Sequence, residues 1–202
     1  MERRTKDLPT PLLVLIAPTR VLFETKYVGR KRRMGINRWS WIWLAINMAF
    51  LFLLPELQRH LKFWHGLFLL IWLVPFSRII EITYAFYNDS FDQLEGIKPR
   101  SGLRRVQRFK LLGRSYFEIA VSYATIYLAL PRGSFANPPA TSFDSLYFSW
   151  ITITTTGFGD ITPSSAAARL LCMTELGLGL MLIVLTVGTY FSSKDSSLPT
   201  ED

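Results

Sequence analysis

A single cysteine, Cys172, is all the thiol chemistry this chain of 202 residues possesses. That excludes an internal disulfide framework and any CxxC metal site. Histidine is nearly as scarce. With only His60 and His65 present, a His-based zinc site or a catalytic triad is poorly supplied. Charged residues make up 19% of the chain and hydrophobic ones 50%, with a mean hydropathy of +0.23. That apolar content excludes global disorder. Its clustering also argues against a soluble domain, because runs such as 41–54 and 67–76 are too long for a fold this small to cover. The composition is that of a membrane protein.

A helix crosses the hydrocarbon core with about 20 mostly apolar residues. Four segments qualify: 39–57, interrupted by Asn47 and closing near Pro55; 63 onward through Phe76, continuing past Arg78 and Glu81; 111–130, with Glu118; and 166–191, with Arg169 and Glu175. Basic residues set the orientation. Ten Lys and Arg precede or include Arg38, and seven lie between Lys98 and Arg114, whereas 131–163 holds only Arg132. Both termini and the middle linker are therefore expected in the cytoplasm. The run 12–17, bracketed by Pro11 and Pro18, reads as an interfacial segment on the inner leaflet. The basic excess sits at predicted membrane edges, so anionic lipid is its expected partner and nucleic acid is not.

Between the third and fourth spans, 141–163 reads as a short helix followed by an extended strand. Ser142 or Asp144 is the expected N-cap after Pro138 and Pro139. A helix over 144–154 would be about 16 Å long, half a bilayer, so it enters and stops. Its carbonyl end would then face the membrane centre with roughly half a negative charge, which favours a cation. The segment Thr155-Thr156-Gly157-Phe158-Gly159-Asp160 follows. Its alternating glycines permit successive carbonyls to point one way. Irregular backbone at this depth survives only when buried in protein or lining a watery path. One chain supplies one wall of such a path, so several copies are needed.

Thr155 to Asp160 is similar to the potassium-channel signature, and 115–191 resembles that family's pore module of outer helix, pore helix, filter and inner helix. The resemblance covers somewhat over a third of the chain. Together with the two apolar spans counted before it, this pore module makes an all-α integral membrane protein the expected fold. The resemblance also implies passive K⁺ conduction by a homotetramer, with K⁺ as the permeant ion and no enzymatic activity. The K⁺ ligands would be carbonyls of Thr155, Thr156, Gly157 and Phe158, with the Thr155 hydroxyl closing the innermost site and Gly159 the rim. Asp160 would anchor the strand from behind. Tyr147 and Phe148 resemble an aromatic brace, in which Tyr147 offers its hydroxyl to Asp160. For Tyr147 and Trp150, plain interface packing is the alternative. Three residues depart from the commoner pattern: Phe158 for Tyr, Thr156 for Val or Ile, and Ile151 where some members keep a carboxyl. They bear on filter rigidity more than on ion preference.

Gly179 resembles the family's inner-helix hinge, with close helix packing as its alternative. Leu180, Ile183 and Val187 share one helical face and are candidates for a hydrophobic gate. Glu118 and Glu175 are ionisable groups at membrane depth. Either can pair with Arg78, which also lies three residues from Glu81; a proton-sensing role is the sharper alternative. The basic residues of 104–114 do not keep the every-third spacing of a voltage sensor. The expected organisation is a basic N-terminal segment at 1–38, two transmembrane helices over 39–87, a basic linker at 88–114, a pore domain at 115–191 and a polar tail at 192–202. A bacterial plasma membrane is the expected location. The rival readings are a weakly selective cation channel, a transporter-type subunit and a non-conducting regulatory subunit.

Overall fold

The computed structural model describes residues 30–60, 65–94 and 105–195. The expected interfacial segment at 12–17, the middle of the basic linker and the end of the tail lie outside the described residues. Five helices follow one another: α1 Arg30–His60, α2 His65–Leu94, α3 Arg105–Ala129, α4 Ser142–Ile153 and α5 Ala166–Asp195. A 3₁₀ turn, Arg132–Ser134, leads from α3 toward α4. Among the described residues the only β pairing is an isolated antiparallel bridge between Phe135 and Pro163. Helices are the only regular elements among the described residues.

Several ends run past the apolar segments. Pro55 does not close α1, which continues to His60, and Pro75 lies within α2. In membrane helices, neighbouring groups re-satisfy the backbone that proline leaves unpaired. α2 runs to Leu94 and α3 starts at Arg105, so helix occupies much of the expected linker.

α3 packs against all four other helices. Every residue from Glu118 to Tyr127 is buried. Ala120 and Ala124 leave room for close approach, and the Ser122 and Thr125 hydroxyls donate to the carbonyls of Glu118 and Val121 one turn back (2.9 Å each). α1 buries a narrow stripe, Ser40, Leu44, Asn47, Leu51 and Leu54, at alternating steps of four and three. Leu44 and Leu51 pack on Val121 and Ala124 of α3. The opposite side of α1 exposes Trp41, Ile42, Ile46, Phe52 and Leu53. α5 likewise exposes Leu170, Met173, Leu180, Ile183, Val184 and Val187. Polar groups sit inside and large apolar ones outside, which suits lipid or another chain rather than water.

Within the described residues, Met34–Glu56 and Ala166–Leu185 are long and apolar enough to cross a membrane. α3 falls short of that mark because of Arg114, Glu118 and its many hydroxyl side chains, which find partners on neighbouring helices or on its own backbone. The charges answer one another. Arg78 of α2 gives Nε to Glu118 Oε1 at 2.8 Å and Nη2 to the same oxygen at 2.7 Å, and pairs through Nη1 with Glu81. Its guanidinium also lies 5.0 Å from the Trp43 ring of α1. Arg78 thus joins α1, α2 and α3, and it selects Glu118, not Glu175, as its interhelical partner. Removing one member of a buried ion cluster strands the others. Arg78→Met is therefore expected to destabilise the fold by about 3–5 kcal/mol, read as a lowered unfolding midpoint of the purified protein. Adding Glu118→Gln to that variant should recover part of the loss.

Candidate functional site

The segment 141–163 is built from its first cap. Thr141 is the N-cap of α4: its hydroxyl accepts from Asp144 N at 3.1 Å, and the Asp144 carboxylate accepts from Thr141 N at 2.9 Å. The two residues form a reciprocal capping box. Neither expected cap, Ser142 or Asp144, holds that place. Asp144 is the third helical residue, and the Ser142 hydroxyl instead donates to the Leu51 carbonyl of α1 at 2.9 Å. The pattern Thr-x-x-Asp was legible in the sequence as such a box.

α4 has 12 residues, about 18 Å, too short to cross a bilayer. An α-helix leaves its last four carbonyls without helical donors, and here all four are taken. Trp150 O accepts from Thr154 N at 3.1 Å, Ile151 O from Thr156 N at 2.9 Å and Gly157 N at 3.1 Å, and Thr152 O from Thr155 N at 3.0 Å. Ile153 O accepts from the Tyr116 hydroxyl of α3 at 2.7 Å. The N–H groups of 154–157 are thereby consumed by the helix they follow. The backbone then alternates: Thr155, Gly157 and Gly159 have φ of 61°, 52° and 80°, and the residues between them do not share that sign. Thr155 is the only non-glycine of this kind among the described residues, a strained state for a β-branched residue. The carbonyls of Thr155, Thr156, Gly157 and Phe158 accept no hydrogen bond among the described residues, and 155–160 are exposed in the single chain. The free carbonyls are thus those of 155–158, and those of the helix end are taken.

The outer end of the strand is held from several sides. Tyr147 stacks on Phe158 with ring planes 7° apart and centroids 6.5 Å apart. Its hydroxyl faces the Asp160 carboxylate. Asn137 Nδ2 donates to Asp160 O at 3.0 Å. Ala136 N donates to Thr162 O at 2.9 Å, and Ser164 N to Ser134 O at 2.9 Å, so the chain before α4 is clamped to the chain after the strand. Phe148 faces the other way, buried against Tyr127 and Phe135. Trp150 meets Tyr116 and Phe117 of α3 edge-on. Sequence reasoning passed over Tyr116, Asn137 and Thr141.

Gly179 lies buried where α5 meets the end of α4. A Cβ there would stand 2.7 Å from Ile153 Cγ1 and 3.1 Å from Ile153 O. Close packing therefore accounts for this glycine. Leu180, Ile183 and Val187 are 43–48% exposed on the open side of α5, while Leu182 is buried. Glu118 belongs to the Arg78 cluster. Glu175 lies apart from it, fully buried, taking a hydrogen bond from Tyr127 Oη at 2.7 Å and sharing another with Ser149.

Residues 115–193 match a family model described as "Ion channel". A rice (Oryza sativa subsp. japonica) protein named two pore potassium channel c is 42% identical over 66 residues, which is 31% of this chain and 14% of that protein. No solved structure matches. The matched segment holds most of α3, all of α4, the segment 155–160 and nearly all of α5, and over that stretch the chain is similar to ion channels. The ion-channel match and the two long apolar helices support a membrane protein.

The contrast between Gly179 and Gly177 is testable. Gly179→Ala is expected to push α4 and α5 apart at a cost of about 1–3 kcal/mol. Gly177 meets nothing within 4 Å in this chain, so Gly177→Ala should be neutral or stabilising by up to about 1 kcal/mol. Thermal unfolding of the two variants side by side reads the difference.

Proposed function

We propose that this chain is a K⁺-selective channel that conducts passively through a pore shared by four copies. The observation that carries the reading is the run of four unpartnered carbonyls from Thr155 to Phe158, on backbone whose handedness alternates. At membrane depth such groups need a partner, and a dehydrated cation surrounded by symmetry-related carbonyls is the partner that K⁺ filters provide. One chain supplies one wall, so a homotetramer closes the ring. Gly159 forms the rim, the Thr155 hydroxyl closes the inner end, and Asp160, Tyr147 and Asn137 brace the outer end. Phe148 and Trp150 act at one remove by seating α4 in its socket.

In this reading α1, α2, α3 and α5 all cross the membrane. The charges that lower the hydropathy of α3 are answered inside the protein, which is how intramembrane charge is tolerated. Residues 39–87 form the peripheral pair and 115–191 the pore domain, with basic segments at 1–38 and 88–114 against anionic lipid of the plasma membrane's inner leaflet. Leu180, Ile183 and Val187, on the open side of α5, line the inner cavity or its gate. The matched relative is a plant protein and lends a bacterial origin no support.

The test is the reversal potential of the purified chain in a bilayer with KCl on one side and NaCl on the other. A value displaced far from zero toward the K⁺ limit is expected. Robust current reversing near zero would establish the weakly selective channel instead. A monomer in both detergent and lipid, carrying no current, would favour the regulatory-subunit reading. Asp160→Asn, which weakens the brace without touching the carbonyls, is expected to reduce selectivity rather than abolish current.

A further inference from the structure

Glu175 lies where α3, α4 and α5 meet, and its hydrogen bonds can be counted. Tyr127 Oη is 2.7 Å from Glu175 Oε2. Glu175 Oε1 is hydrogen-bonded to Ser149 Oγ, and Ser149 Oγ is 2.7 Å from the carbonyl oxygen of Ala120. These are three oxygen–oxygen contacts at hydrogen-bond distance, and each needs a proton between its atoms. Tyr127 and Ser149 carry one hydroxyl proton each. An ionised Glu175 and the Ala120 carbonyl bring none. Two protons cannot serve three contacts. The third belongs to the carboxyl: Glu175 Oε1–H donates to Ser149 Oγ, and the Ser149 hydroxyl donates onward to Ala120.

The surroundings agree with a neutral acid. Among the described residues Glu175 has no cationic partner. On α2, Arg78 is committed to Glu81 and Glu118. On α3 the facing titratable groups are Tyr116, Tyr123 and Tyr127, and Tyr123 donates to Thr174 at 3.1 Å. On α5, Cys172 lies 3.5 Å from the Tyr127 hydroxyl, while Arg169 is turned to the Pro163 carbonyl. On α4, Tyr147 is taken by Asp160. A buried carboxylate without a cation is costly, and protonation removes that cost.

The position of this carboxyl gives its proton a consequence. Glu175 and Gly179 are four residues apart on α5, and Ser149 and Ile153 are four apart on α4, so the two pairs form successive rungs of one helix contact. The second rung, Gly179 against Ile153, supports the end of α4 from which the strand 155–159 starts. We propose that Glu175 is held as a neutral carboxylic acid whose proton latches α5 to α4. Losing that proton at alkaline pH then loosens the support of the strand and cuts conduction. The latched state binds one more proton per chain than the released state, so raising the pH favours release. The conduction half rests on the channel reading above, and the proton half does not.

Infrared spectra of the full chain in lipid, taken across a pH series beside K⁺ flux, test both halves. Near neutral pH the carbonyl stretch of a protonated carboxyl is expected in the native chain and should be missing in Glu175→Gln. It should fade at alkaline pH while flux falls by about tenfold, a change one proton can drive within about one pH unit. Glu175→Gln keeps the geometry, because its amide donates to Ser149 and its oxygen accepts from Tyr127, so its flux should not follow pH. If that variant fails to fold, Ser149→Ala serves instead: it removes the acceptor and should move the band to the frequency of a carboxyl that donates no hydrogen bond. Absence of any band assignable to Glu175 at neutral pH overturns the proton count. Flux that responds to pH alike in native and Glu175→Gln chains overturns the latch. A chain that passes no ion at any pH overturns the channel reading and the conduction half together, while the band still decides the proton.

Discussion

The structure depends on how backbone polar groups are satisfied around the end of α4. The last turn of α4 has four carbonyls without helical N–H partners. Here the following strand turns back to answer three of them, and Tyr116 answers the fourth. That solution fixes where the N–H groups of 154–157 point and so fixes what remains. The carbonyls of 155–158 are left without a protein donor among the described residues, and in the proposed reading they are what the protein offers an ion. The positive φ values at Thr155, Gly157 and Gly159 are the conformational requirement of that arrangement.

The rest of the molecule can be understood as support for this turn. α3 is the hub because it touches α4 along its length and brings Tyr116 to the helix end. α5 comes close enough to seat α4 only because residue 179 has no side chain. The capping box fixes the beginning of α4, and the clamp between 134–136 and 162–164 fixes the exit of the strand. Arg78 holds the peripheral pair to α3 through Glu118 and Trp43. Contiguous ionic and aromatic contacts thus tie α1 and α2 to the helix on which the site rests.

Much of this was legible in the sequence because it is local. The apolar runs located the helices, and the Thr-Thr-Gly-Phe-Gly-Asp segment located the site from its glycines. The Tyr147–Asp160 contact followed from the family pattern. What was not legible depends on partners distant along the chain. Nothing in the sequence around Tyr116 says that its hydroxyl reaches a carbonyl 37 residues later. Nothing around Arg78 says which of two buried glutamates it takes. Asn137 sits in a loop whose role emerges only once the strand is placed beside it. Phe148, grouped with Tyr147 by the family resemblance, packs elsewhere because neighbours on a helix point about 100° apart. The N-cap was misplaced, by one residue at Ser142 or three at Asp144, although its box was complete, since these two polar residues competed for the same reading.

The most direct test is to locate monovalent cations in the assembled protein by anomalous scattering from Rb⁺. The account predicts a column of ion peaks beside the carbonyls of Thr155, Thr156, Gly157 and Phe158, on an axis shared by four copies. Ion peaks absent from that segment, with the same carbonyls hydrogen-bonded to protein, would contradict it.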